Sequence, residues 1–160
     1  MSSKKLLTNG TYGWAVMDPE RLAGIARATS NKIGMLIKRH KIDAIAFCGS
    51  SGSALAFYLG IEHKIPLMYV RKHGEQSHST GHMECNTDRE ILKYLVVDDF
   101  ICSGDTVLRV MEQVRDHYRY HNHFGKVSHA EPKCEGVFLY DHQGHGPSGQ
   151  SQINNVPIYF

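Results

Sequence analysis

Two adjacent aspartates, Asp98 and Asp99, close an apolar run and lead into a Ser103-Gly104-Asp105-Thr106 turn, within the segment YLVVDDFICSGDT at 94–106. β-Branched Val96 and Val97 mark the run as a buried parallel strand. The carboxylates then fall at its C-terminal end, where open α/β sheets bind ligands. Beyond the turn, Val107, Val110, Met111 and Val114 recur at helical spacing. A strand, a Gly-containing turn and a helix N-terminus together aim backbone N–H groups at an anion. Two carboxylates beside that turn can accept hydrogen bonds from a vicinal diol. A phosphate pocket next to a diol clamp suits a 5-phosphorylated ribose. The competing reading is a buried strand with an acidic end and a helix capped by Ser103 or Asp105.

A second group of candidates lies upstream. Gly49-Ser50-Ser51-Gly52 sits between a strand pattern and a helix pattern, so its amides can bind an anion. It also reads as an ordinary turn with Ser51 as helix cap. Arg71 and Lys72 follow a strand pattern and could hold a multiply charged phosphate, Arg71 in bidentate fashion; equally, two cations can simply solubilise a strand end. His73, His78, His82 and Cys85 match no common zinc spacing. The mixed stretch RDHYRYHNHFGK at 115–126 reads as the solvated C-terminal end of a helix rather than a nucleic-acid surface.

The elements that position these residues alternate strand and helix, the pattern of a parallel sheet covered on both faces. Asp18-Pro19 starts a helix, the aspartate as N-cap, and Leu22, Ile25, Ala26, Thr29, Ile33, Leu36 and Ile37 trace its apolar stripe. Strands are expected at 43–48, 67–70, across the signature, at 135–140 and at 156–160. A helix is expected over 53–59, stopped by Gly60. Residues 73–89 and the tail at 142–155 read as loops. The 160 residues suffice for one domain, with no internal repeat. A net charge of +2 argues for neither nucleic acid nor membrane as partner. Met1–Lys5 opens no secretion signal and no apolar stretch is long enough to span a bilayer. Four cysteines without a CxxC pair suggest reduced thiols and a cytoplasmic protein.

The 94–106 segment closely resembles the phosphoribosyl pyrophosphate (PRPP) signature of type I phosphoribosyltransferases: apolar strand, two acids, two apolar residues and a small phosphate loop. Tyr69-Val70-Arg71-Lys72 is similar to a stretch of the orotate and adenine enzymes, and the order of elements matches over most of the chain. The resemblance implies an α/β fold with a Rossmann-like central parallel sheet, helices on both faces and a minimal hood built from 1–17 and 142–160. It implies transfer of 5-phosphoribose from PRPP to a nucleobase, with Mg2+ as cofactor and release of pyrophosphate. Asp98 and Asp99 would hold the ribose hydroxyls and, indirectly, the metal. Cys102, Ser103, Gly104, Asp105 and Thr106 would wrap the 5-phosphate. Gly49, Ser50, Ser51 and Gly52, a loop that in the family often holds a cis peptide, would hold pyrophosphate with Arg71 and Lys72; Lys72 joins the two aspartates as catalytic.

By the same resemblance the 73–89 loop would be a lid, here without the lysine such lids usually carry; His78, His82 or Arg89 stand as substitutes. Hypoxanthine and guanine enzymes carry aspartate where this chain has Cys102, which points to an orotate-, adenine- or xanthine-like base. A homodimer is implied. The alternative within the same fold is a PRPP-binding regulator without turnover.

Overall fold

A computed structural model of the chain describes residues 18–72, 74–75, 83–85, 87, 89–99, 104–123, 130–140 and 151–160. Helix α1 (Pro19–His40) is followed by strand β1 (Ala44–Cys48), helix α2 (Gly49–His63) and strand β2 (Leu67–Val70). Then come β3 (Met83–Glu84), β4 (Lys93–Asp98), α3 (Asp105–His123), β5 (Lys133–Leu139), β6 (Gln152–Ile153) and β7 (Val156–Tyr159). The sheet order is β3-β2-β1-β4-β5-β7-β6. The five inner strands run parallel, and β3 and β6 are antiparallel additions at the two edges.

Alternation along the strands divides the core into two layers. Ala44, Ala46 and Cys48 of β1, with Tyr94 and Val96 of β4, pack beneath Val107, Val110 and Val114 of α3. Ile45, Phe47, Leu95, Val97 and Phe138 face the other way, against Ala26 and Ile33 of α1 and Leu55, Ala56 and Leu59 of α2. The sheet is therefore sandwiched between helices, as expected for strands that are apolar on both faces. Glu135 is the extra residue where the β4–β5 register slips between Tyr94 and Leu95. Its carboxylate lies 3.3 Å from Lys93 Nζ and 3.1 Å from Lys133 Nζ.

The expected N-terminus of α1 is present: Asp18 Oδ1 accepts from Glu20 N (2.9 Å) and Arg21 N (3.1 Å), with Pro19 in the first turn. Several boundaries differ. Helix α2 begins at Gly49, so the expected 49–52 loop is its first turn, and its N-cap Cys48 makes no side-chain capping bond. Nor does Gly60 stop it: the helix runs to His63. Gly60 instead lets α2 approach β2, because a Cβ there would lie 3.1 Å from the Leu67 side chain. Strand β5 starts at Lys133, earlier than the expected Glu135, and ends at Leu139. The polar stretches expected as loops hold the two short edge strands, β3 and β6, too brief for a period to show.

Both α1 and α2 end in a lysine where glycine is usual. Lys41 (φ 54) and Lys64 (φ 50) are left-handed, and the next residues close the cap with Ile42 N→Ile37 O (3.0 Å) and Ile65 N→Gly60 O (3.1 Å). A left-handed L-residue costs roughly 1–2 kcal/mol, partly offset on replacement by the ~0.5–1 kcal/mol entropy cost of glycine. Lys41→Gly and Lys64→Gly are each expected to stabilise the protein by about 0.5–1 kcal/mol, read as a higher urea midpoint at unchanged slope.

Candidate functional site

Strands β2, β1 and β4 are adjacent and parallel, so the described residues that follow their C-terminal ends lie at the same end of the sheet. Gly49–Gly52 follow β1, Arg71 and Lys72 follow β2, and Asp98 and Asp99 end β4. From β1 the chain passes through α2 to β2 on one side, while β4 lies on the other. This is the switch in strand order at which α/β sheets open a binding crevice. The sequence candidates far apart in the chain are thus brought together.

Asp98 and Asp99 are each only 6% exposed. Asp98 Oδ1 accepts from Asp99 N (3.0 Å) and from Ser51 Oγ (3.2 Å) in the first turn of α2. Burial first, and then the neighbouring Asp99 carboxylate, push the Asp98 carboxyl up from its ordinary 3.8 to about 7. The Cys48 thiol behind it is raised too, chiefly by burial and then by Asp98. Gly104 is buried with φ 88, a turn that an L-side chain would strain, and its carbonyl accepts from Leu108 N (3.0 Å) to open α3. Asp105 and Thr106 occupy the exposed first turn of α3. Cys102 and Ser103 lie outside the described residues, as do His73, His78 and His82 of the lid stretch and the greater part of the expected hood.

The two cations after β2 have different surroundings. Lys72 runs over the start of α2: Gly49 has φ 69, and a Cβ on it would run into Lys72 Cε and lie 2.9 Å from Nζ. Residue 49 therefore leaves room for Lys72 to reach the α2 N-terminus. Arg71 forms an ion pair with Glu84 of β3, and its guanidinium carbon lies 5.6 Å from the centre of the Tyr69 ring. Its Nε is buried and has no partner among the described residues. Among the described residues no peptide bond is cis, so the family's cis-peptide feature is absent from the turn at Gly49–Gly52.

Two residues that sequence reasoning passed over shape the site. Glu75 accepts from Lys72 N and Tyr69 OH (3.0 Å each), and these two bonds, the backbone one first, hold its carboxyl below the usual range. It closes the turn that aims Lys72; a Glu three residues after Lys72 was a readable turn signal. Tyr140 donates from its hydroxyl to Ser51 O (2.5 Å) across 89 positions, for which no local signal exists. A cavity of about 560 Å³ lies elsewhere, between α3 and the β6–β7 hairpin, at the opposite ends of the strands. Its cations are already paired, Arg115 with Glu112 and Asp116, and Lys133 with Glu135.

No family model and no curated protein sequence matches the chain. Solved structures do. Adenine phosphoribosyltransferase from Saccharomyces cerevisiae superposes with a TM-score of 0.61 over 89% of this chain and 79% of its own, at 18% identity. The fold is that of the type I phosphoribosyltransferases. Orotate phosphoribosyltransferase from Aeropyrum pernix gives 0.55 at 16% identity, covering 80% of this chain and 62% of that one. UMP synthase from Leishmania donovani gives 0.55 at 18% identity over 79% of this chain. The chain spans under two thirds of that orotate enzyme and 23% of the UMP synthase. Among the described residues no helix of this phosphoribosyltransferase fold is long and apolar enough to cross a membrane.

Between pH 3.8 and about 7, native Asp98 holds a proton that the unfolded chain has released. Its contribution to stability is then greatest near the lower value and falls as pH rises through the upper one. Asp98→Asn is expected to flatten that decline and to leave the variant more stable than wild type at about pH 8; an unchanged slope in chemical denaturation would contradict the assignment. Gly49→Ala is expected to cost about 1–3 kcal/mol through strain and displacement of Lys72. Part of that cost should vanish in a Lys72→Ala background, measured as a double-mutant cycle.

Proposed function

We propose that the protein transfers 5-phosphoribose from PRPP to a nitrogen-heterocycle base, with release of pyrophosphate. The observation that carries this reading is the buried Asp98–Asp99 pair at the end of β4, flanked by the N-terminal turns of α2 and α3. Two carboxylates can bind the 2- and 3-hydroxyls of ribose, while a helix N-terminus on either side takes a phosphate. The turn at 102–106 would hold the 5-phosphate. The first turn of α2, with Lys72 laid over Gly49, would hold pyrophosphate, and Arg71 would join it by exchanging its Glu84 partner for the more highly charged ligand.

With the sugar gripped at both ends, the bond from the anomeric carbon to pyrophosphate oxygen breaks and pyrophosphate leaves with the electron pair. The base nitrogen forms the new bond from the opposite face, with inversion, and passes its proton to solvent water. Positioning and electrostatic stabilisation of an oxocarbenium-like state would supply most of the rate. A magnesium ion suits the oxygen-only donors here. Asp98 and Asp99 would hold it through ribose hydroxyls and water, since two carboxylates are not a complete protein cage, and it would supply positive charge to the leaving pyrophosphate. Cys102 in place of an acid favours an orotate-, adenine- or xanthine-like base over hypoxanthine or guanine, because its thiol is a poor proton partner. A cytoplasmic homodimer is part of the same proposal.

Two observations favour a second reading, a PRPP-binding regulator: Arg71 is engaged by Glu84, and the 73–92 stretch contains no lysine. Pyrophosphate release from Mg-PRPP across a panel of bases separates the two, since a regulator binds PRPP without release on any base. For either reading, Asp98→Asn with Asp99→Asn is expected to abolish PRPP binding by calorimetry and to leave the circular dichroism spectrum intact. Wild-type affinity in that double variant would overturn both.

A further inference from the structure

We propose that Tyr140 is a positioning residue: through Ser51 it sets the aim of the Asp98 carboxyl, and thereby how strongly the site recognises the hydroxyls of a ribose phosphate. This rests on the ribose-binding reading of the acidic pair.

Asp98 Oδ1 takes two donors, Asp99 N at 3.0 Å and Ser51 Oγ at 3.2 Å. The first is local to the strand end and travels with it. The second comes from another element, so the rotation of the carboxyl depends on where the first turn of α2 stands. Tyr140 governs that position from the next strand over. Its hydroxyl donates to Ser51 O at 2.5 Å, and its backbone N–H donates to Asp98 O at 3.2 Å. One residue thus holds the main chain of both partners in the Ser51–Asp98 bond. Its ring is buried in the layer containing Phe47, Leu95, Val97 and Phe138, so the phenol is a rigid arm whose polar end reaches the crevice. Small errors of aim at such a carboxylate are costly, since hydrogen bonds weaken steeply as their angle opens.

The test compares ribose 5-phosphate with 2,3-dideoxyribose 5-phosphate, which keeps the phosphate and lacks both hydroxyls. Dissociation constants are measured by calorimetry or by NMR titration. Wild type should prefer ribose by about 10-fold or more, the order expected of hydrogen bonds to a charged group. Tyr140→Phe removes one oxygen and keeps the ring; it should cut the preference by about 3–10-fold through weaker ribose binding, with the dideoxy affinity unchanged. Ser51→Ala, which deletes the intermediate hydroxyl, should weaken ribose binding comparably, and adding Tyr140→Phe to it should lower the preference no further; an additional loss in the double variant overturns the route through Ser51. Parallel weakening of both sugars, as a merely structural role predicts, overturns the inference. So does an undiminished preference in the variants. A wild type that binds neither sugar, or shows no preference, overturns the ribose-binding reading itself and takes this inference with it.

Discussion

Two neighbouring carboxylates kept out of water at the end of β4 are the constraint on which the rest of the crevice turns. Asp98 and Asp99 are buried side by side, and placing two like charges there is unfavourable enough to hold a proton on Asp98 until about pH 7. Donors offset this only in part: Ser51 Oγ and Asp99 N both serve the same oxygen of Asp98. On the proposed reading, a ligand that brings hydroxyl donors would relieve this pair, and nearby positive charge would relieve it further. The helix N-termini of α2 and α3, on either side of the pair, add positive ends of helix dipoles near it.

The order of strands is what makes that arrangement compact. Because β1 stands between β2 and β4, residues from three separate stretches lie together at the C-terminal ends of neighbouring strands. Lys72 can cross the start of α2 because Gly49 has a left-handed backbone and no side chain. Glu75 holds the turn that directs it. Arg71, one residue earlier, is paired with Glu84 of the edge strand β3 and lies over the Tyr69 ring. Two adjacent cations that look equivalent in the sequence therefore stand in unlike surroundings, one against Glu84 and Tyr69 and the other over Gly49.

Much of this was legible in the sequence wherever the signal is local. The Asp18-Pro19 start, the apolar runs of β1, β2 and β4, the acidic pair and the left-handed Gly104 before α3 each depend on near neighbours, and each appears where its pattern falls. Boundaries set by packing were not legible. Gly60 looked like a helix stop, but its missing side chain accommodates Leu67, and the stop is made by Lys64 in a left-handed conformation that lysine does not advertise. The two-residue strands β3 and β6 are too short to carry a period and exist through pairing with β2 and β7.

The chain's sequence by itself determined which chemistry is present: a carboxylate pair at a strand end, a small turn opening a helix, and two cations after another strand. These depend on residue type and on spacings of a few residues, over which backbone geometry is nearly fixed. Only the tertiary structure decided how the groups are aimed. The Ser51 bond to Asp98 joins positions 47 residues apart and the Tyr140 bond to Ser51 positions 89 apart. At such separations the strand order and the packing of α2 on the sheet, rather than the local chain, set the distance between donor and acceptor.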